Sequence, residues 1–184
     1  MRLFVALPIP EPARRVIVGL LDRLRASDWP VRWVRPEGIH LTLKFYGEVA
    51  AERLEVIEEA IRFAAAGAGP IPMRLASLGA FPTNTRPRIL WLGLDAPPAL
   101  ELLQDRLERR GEDIGFPPEG APFQPHVTLG RMREGHRLPP HALESSNGVP
   151  EKVAFLADRV VLYESLLTSE GPRYEPRLVL PLGT

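Results

Sequence analysis

A chain of 184 residues and 20.5 kDa is long enough for one large domain, or two small lobes, around a genuine hydrophobic core. Its 23 basic and 23 acidic residues cancel, which argues against a protein that grips long nucleic acid by its backbone but leaves room for a short RNA end or a nucleotide. The absence of cysteine excludes disulfides, zinc–thiolate sites, iron–sulfur clusters and thiol catalysis together. No apolar run approaches the ~18 residues of a membrane span, and the opening run stops at Pro8, too short for a signal peptide. A cytoplasmic protein without membrane contact, working as a monomer, is the expectation. Arginine outnumbers lysine 21 to 2, with 21 prolines and few Asn or Gln, a bias that thermostability and a GC-rich genome explain equally well.

Taken in chain order, Arg2 to Pro8 reads as a strand. A helix follows from about Pro12, with Val16, Leu20, Leu21 and Leu24 at helical spacing. Arg32 to Val34 is a short strand. Ile39 to Tyr46 alternates: odd positions are apolar, while the even ones are His40, Thr42, Lys44 and Tyr46. That period predicts a half-buried strand with His40 and Thr42 on its open face, roughly 6–7 Å apart. By the same parity Lys44 shares that face as a phosphate contact or a solvated charge, and Phe45 belongs to the core. Ala51 to Ala66 is a helix, closed by Gly67 to Pro70. Ile71 to Leu78 and Arg88 to Leu94 are strands separated by a Pro/Thr/Arg loop. Pro97-Pro98 opens a third helix ending at Arg110-Gly111. A Pro/Gly-rich loop from Gly115 to Pro125 then delivers His126-Val127-Thr128-Leu129. Glu134 to Val149 is polar and loop-like, with a helical turn near Pro140 to Glu144. Strands near Val153 to Phe155, Arg159 to Leu166 and Arg173 to Pro181 close the chain.

The repeat carries the chemistry. His-x-Thr-Leu occurs as His40 to Leu43 and again as His126 to Leu129, so two of only four histidines share one local context. Imidazole gives or takes a proton near neutral pH without help, so two of them suggest an acid and a base. The two hydroxyls, Thr42 and Thr128, can hold the oxygens of a phosphate. Arg131 ends the second motif; by strict alternation it points away from His126 unless the strand bulges, which makes it a weaker anion-binding candidate. Trp33 could stack a base. His136 and His141 read as surface residues. Arg86, Arg88 and the segment Arg133 to Arg137 either guide RNA or are simply solvated. No metal-ligand pattern is present, and no cofactor or metal is expected. The order strand–helix–His strand occurs twice, a loose duplication that predicts an α+β fold with antiparallel pairing.

These motifs, His40 to Phe45 and Phe123 to Arg131, resemble the paired signatures of the 2H phosphoesterases, and in particular their bacterial and archaeal RNA 2′,3′-cyclic phosphodiesterase branch, long called 2′-5′ RNA ligases. The opening Arg2 to Leu7, the stretch Phe81-Pro82 to Leu90–Gly93, and Leu162 to Ser165 with Gly171 to Tyr174 resemble it too. The resemblance implies a single bilobal domain over residues 1–184, built as two pseudo-symmetric antiparallel sheets with helices outside and a central cleft lined by the two His strands. It also implies metal-independent opening of a terminal 2′,3′-cyclic phosphate to a 2′-phosphate, with His40 as proton donor, His126 as proton acceptor, and Thr42 and Thr128 holding the non-bridging oxygens. The partners implied are RNA ends or nucleotides bearing that cyclic phosphate. The alternatives are the reverse reaction, 2′-5′ ligation, and a noncatalytic module that binds RNA ends or nucleotides.

Overall fold

A computed structural model describes residues 1–145 and 153–183. The stretch 146–149 of the expected loop lies outside the described residues. The strands are β1 (Arg2–Pro8), β2 (Val31–Trp33), β3 (His40–Glu48), β4 (Ile71–Pro82), β5 (Pro87–Asp95), β6 (His126–Met132), β7 (Ala154–Ala157), β8 (Arg159–Thr168) and β9 (Gly171–Pro181). The helices are α1 (Ala13–Ala26), α2 (Leu54–Ala65), α3 (Pro98–Asp113) and the single turn α4 (Ala142–Ser145). Among the described residues the strands run in the order β7-β4-β5-β6-β3-β1-β8-β9, with β2 alongside β6, and the pairings are antiparallel.

This is the expected α+β arrangement, with one refinement. The two anticipated sheets are the halves β9-β8-β1-β3 and β6-β5-β4-β7, and they are continuous through a single pair, Leu41↔Val127. One half contains β1-α1-β3 and the other β5-α3-β6, so a strand–helix–His-strand unit occupies the middle of each. The His strands lie next to each other at the centre.

Each helix buries most of the stripe its sequence predicts, with Val16 and Leu54 only partly buried and Ile17 in the core beside Leu20 and Leu21. Ile17, Leu20, Leu21 and Leu24 of α1, Ile57 and Ile61 of α2, and Leu100, Leu103 and Leu107 of α3 join Leu3, Val5, Leu7, Leu41, Leu43, Leu92, Val127 and Leu129 from the strands in one core. Pro98 sits in the first turn of α3, where a missing N–H costs nothing. Gly67, at φ 75°, follows α2 in the left-handed conformation that ends helices. A second, smaller core of Val31, Ala80, Leu90 and Met132 lies under the far end of β5 and β6. All three long helices pack against one face of the sheet. The other face carries the histidines.

Candidate active site

The pair Leu41↔Val127 determines the geometry. Both side chains are fully buried on the helix side, so their neighbours along each strand point to the opposite face. An antiparallel register through that pair sets Thr42 across from His126 and His40 across from Thr128, cross-strand distances of about 5 Å between β-carbons. Two imidazoles and two hydroxyls therefore form one four-cornered group. On one side Ala6 pairs with Thr42 and Pro8 with His40, and on the other Gly93 pairs with His126 and Trp91 with Thr128.

Aromatic rings wall both histidines. The His40 ring lies 4.9 Å from Phe4 and meets Tyr174 edge-on at 5.2 Å, with Tyr163 stacked on Phe4 at 5.4 Å. The His126 ring is 5.0 Å from Phe81, again edge-on, and 6.2 Å from Trp91. Trp91 in turn lies flat over Gly79, where an added β-carbon would fall 2.3 Å from the indole. None of these five rings has a role that sequence reasoning assigns. Pairing over long separations brings them in, as with Phe4↔Tyr163, although each occurs in a stretch that carries the family resemblance.

Burial disfavours charge on both imidazoles. His40 is lowered to about 4 by desolvation, opposed by the Gly38 backbone and reinforced by the charge of His126. His126 is lowered as well, first by burial, while the Gln124 carbonyl and Glu119 pull it back up. His126 Nδ1 lies 2.8 Å from the Gln124 carbonyl oxygen. A carbonyl only accepts, so Nδ1 carries the hydrogen and a neutral His126 presents the Nε2 lone pair.

Strict alternation ends at the second leucine of each motif. On β3 the partners pass from Val5↔Lys44 to Ala6↔Thr42, which skips Leu43; on β6 they pass from Leu90↔Gly130 to Trp91↔Thr128, which skips Leu129. A one-residue bulge at the same place in both strands reverses the residues that follow it, and β3 shifts register a second time at Tyr46, between Phe4↔Phe45 and Leu3↔Gly47. Lys44 is thereby moved off the His face, contrary to its assignment as a phosphate contact. Its ammonium lies 2.6 Å from Glu108 beneath α3, with the two side chains 0% and 11% exposed. Gly111 makes the space, since a β-carbon there would come 2.2 Å from Lys44 Cε. Phe45, expected in the core, is 47% exposed and 5.9 Å from Phe4 on the His face. Tyr46, expected on the His face, is buried.

The same bulge turns Arg131 toward the His face, where its charge and that of Arg2 lower the phenol of Tyr174, whose burial raises it by more. Arg32, which sequence reasoning missed, is paired directly with Arg131 across β2 and β6. Neither guanidinium has a carboxylate partner among the described residues. Like charges opposite each other are destabilising unless something anionic lies between them. Trp33 packs partly buried against both cores and Trp29, away from this group. His136 and His141 are exposed, in the connection that follows β6. Among the described residues no three His, Asp or Glu side chains converge as a metal site would require.

Comparison with known proteins agrees with this layout. The LigT-like phosphoesterase family model matches the chain twice, over residues 7–91 and again over 92–174. An RNA 2′,3′-cyclic phosphodiesterase of Methanothermobacter thermautotrophicus is 33% identical over 177 residues, covering 95% of each chain. The crystal structure of TT0787 of Thermus thermophilus superposes with a TM-score of 0.84 at 28% identity, covering 99% of this chain and 98% of that one. E. coli LigT complexed with 3′-AMP gives 0.75 at 27% identity, over 100% and 98%. Each family match contains one of the two His-x-Thr motifs, and the chain belongs to the LigT-like phosphoesterase family.

Proposed function

We propose that this chain hydrolyses the 2′,3′-cyclic phosphate at an RNA end to a 2′-phosphate, without a metal, through His40 and His126. One observation carries the reading: the Leu41↔Val127 register gathers both imidazoles and both threonine hydroxyls on one open face. The relative named RNA 2′,3′-cyclic phosphodiesterase supports the substrate class.

The step divides among the four groups as follows. His126, its Nδ1–H tied to the Gln124 carbonyl, takes a proton from water through Nε2 as the oxygen attacks phosphorus. His40 delivers a proton to the departing 3′ oxygen, so the P–O3′ bond breaks and the phosphate stays on O2′. Thr42 and Thr128 hold the non-bridging oxygens as charge builds on them. The entering phosphate anion raises the low affinity of His40 for its proton, so substrate itself charges the acid. Arg131 meets the neighbouring phosphate oxygen and Phe45 stacks on the base. The protein works in the cytoplasm as a monomer, and the two lobes act as a single domain, since each supplies one imidazole and one hydroxyl.

Phosphorus NMR of an oligonucleotide ending in a 2′,3′-cyclic phosphate, with catalytic protein and excess EDTA, tests this. The expected product is the 2′-phosphate, formed by wild type and lost in His40→Ala and His126→Ala. An unchanged cyclic phosphate, or a 3′-phosphate product, would overturn the assignment.

A further inference from the structure

A second basic site lies on the other side of the sheet. On β5, Ile89 pairs with Arg131 and Trp91 with Thr128, so these residues face the histidines. Arg88 and Leu90 alternate to the opposite face, where Leu90 belongs to the smaller core. Leu138 and Leu143, from the connection after β6, pack against that core. Between this connection and the β4–β5 turn is a cavity of about 780 Å³, large enough for a nucleotide unit. Arg86, Arg88, Arg137, His136 and His141 line it, with Glu144. Glu144 is engaged, its carboxylate lying 2.9 Å from His141 Nδ1. None of the three arginines has a carboxylate partner among the described residues. Ten other arginines do among the described residues, including Arg14, Arg62, Arg109, Arg159 and Arg177.

We infer that this cavity binds the phosphodiester backbone of the RNA strand whose end occupies the histidine face. A chain of zero net charge attracts RNA only through local fields, and three unpaired guanidinium forks converging on one hollow provide one. From Trp91 to Arg86 along β5 is roughly 17 Å, a distance that a few nucleotides of extended strand cover as they pass the β4–β5 turn. The substrate is then an oligonucleotide in preference to a cyclic mononucleotide, a distinction that rests on the hydrolytic reading above.

Fluorescence anisotropy with an RNA of about 12 nucleotides ending in a plain 3′-hydroxyl measures this binding independently of turnover. The double variant Arg88→Ala/Arg137→Ala is expected to bind about tenfold more weakly at about 0.1 M salt, and the slope of log K against log salt should fall by about 1.4. Turnover of a cyclic mononucleotide should stay at the wild-type rate. A folded variant with unchanged affinity and slope would overturn the inference. So would an equal loss of mononucleotide turnover, which would make the cavity a support for the histidine site. Displacement of the oligonucleotide by adenosine 5′-monophosphate in wild type but not in the variant would assign the cavity to free nucleotides and overturn the RNA assignment. Salt-sensitive binding lost in the variant, with no turnover by wild type, would leave this site standing and sink the hydrolytic reading alone.

Discussion

The strands β3 and β6 begin alike and end differently. Each runs His, apolar, Thr, Leu, and each bulges at that leucine. Beyond the bulge, β3 buries Lys44 and presents Phe45, whereas β6 buries Gly130 and presents Arg131. The buried positions are filled in opposite ways. Lys44 reaches under α3 to Glu108, while Gly130 is covered so closely by β2 that a β-carbon would lie 2.5 Å from Val31 Cγ1. The duplicated part is the chemistry. The divergent part is what surrounds it, a flat ring on one side and a cation on the other.

Kinetic and stability measurements on variants test this contrast between the two strands. The largest effect is expected where the halves agree: His40→Ala and His126→Ala should each lower kcat by about 10²–10⁴-fold, and combining them should cost little more than either alone. Comparable single and double losses by stopped turnover assays would fit two groups acting as a unit, and multiplicative losses would sink it.

Next come the positions where the halves differ. Lys44→Ala strands the Glu108 carboxylate and should destabilise the fold by about 3–5 kcal/mol in urea titration, with cyclic-phosphate turnover kept at temperatures where the variant is folded. A loss of turnover at unchanged stability would return Lys44 to the phosphate. Arg131→Ala should behave in reverse, losing about 1.5–3 kcal/mol of transition-state binding, or roughly 10–100-fold in kcat/KM, with the melting temperature unmoved. A large drop in stability with normal kinetics would show that Arg131 is structural.

The smallest effect concerns pH. Both histidines titrate below the ordinary 6.5, His40 at about 4. The singly protonated pair is therefore most populated on the acid side of neutrality, and kcat/KM should peak there and decline as pH rises toward 7. The kcat profile, measured with phosphate bound, should be displaced to higher pH. Stability follows with a definite sign. Between about 6.5 and 4 the unfolded chain binds a proton that folded His40 refuses, so stability falls as pH falls through that window. His40→Asn should flatten this part of a melting-temperature profile, and an unaltered slope would place the acid sensitivity elsewhere.

How much of this was legible in the residues follows from range. Period-2 alternation sets His40 with Thr42, and His126 with Thr128, each pair on one face of its own strand, because four residues of regular strand obey a local rule; that the two faces are the same one follows only from the Leu41↔Val127 register. The rule failed at Lys44, Phe45 and Tyr46, since a bulge is set by the partner strand and shifts the phase without leaving a mark on its own segment. The one available clue was distant: Glu108 and Gly111, three apart on α3, form a carboxylate and a gap that fit a buried ammonium. Phe4, Phe81, Trp91, Tyr163 and Tyr174 read as ordinary strand formers. Only the pairing of β8 with β1 and β9, and of β5 with β4 and β6, turns them into walls. Helices α1, α2 and α3 were readable because their apolar stripes repeat locally.

The seam between the halves has a further meaning. Leu41 and Val127 occupy the same place in their respective motifs, each directly after the histidine, and they pair with each other. A residue that meets its own counterpart is the mark of an isologous contact about a two-fold axis, so the architecture is that of a homodimer whose subunits are joined in one chain. A true homodimer must show identical groups on both sides of its axis. Fusion removes that obligation, and it is what permits phenylalanine at one end of this dyad and arginine at the other.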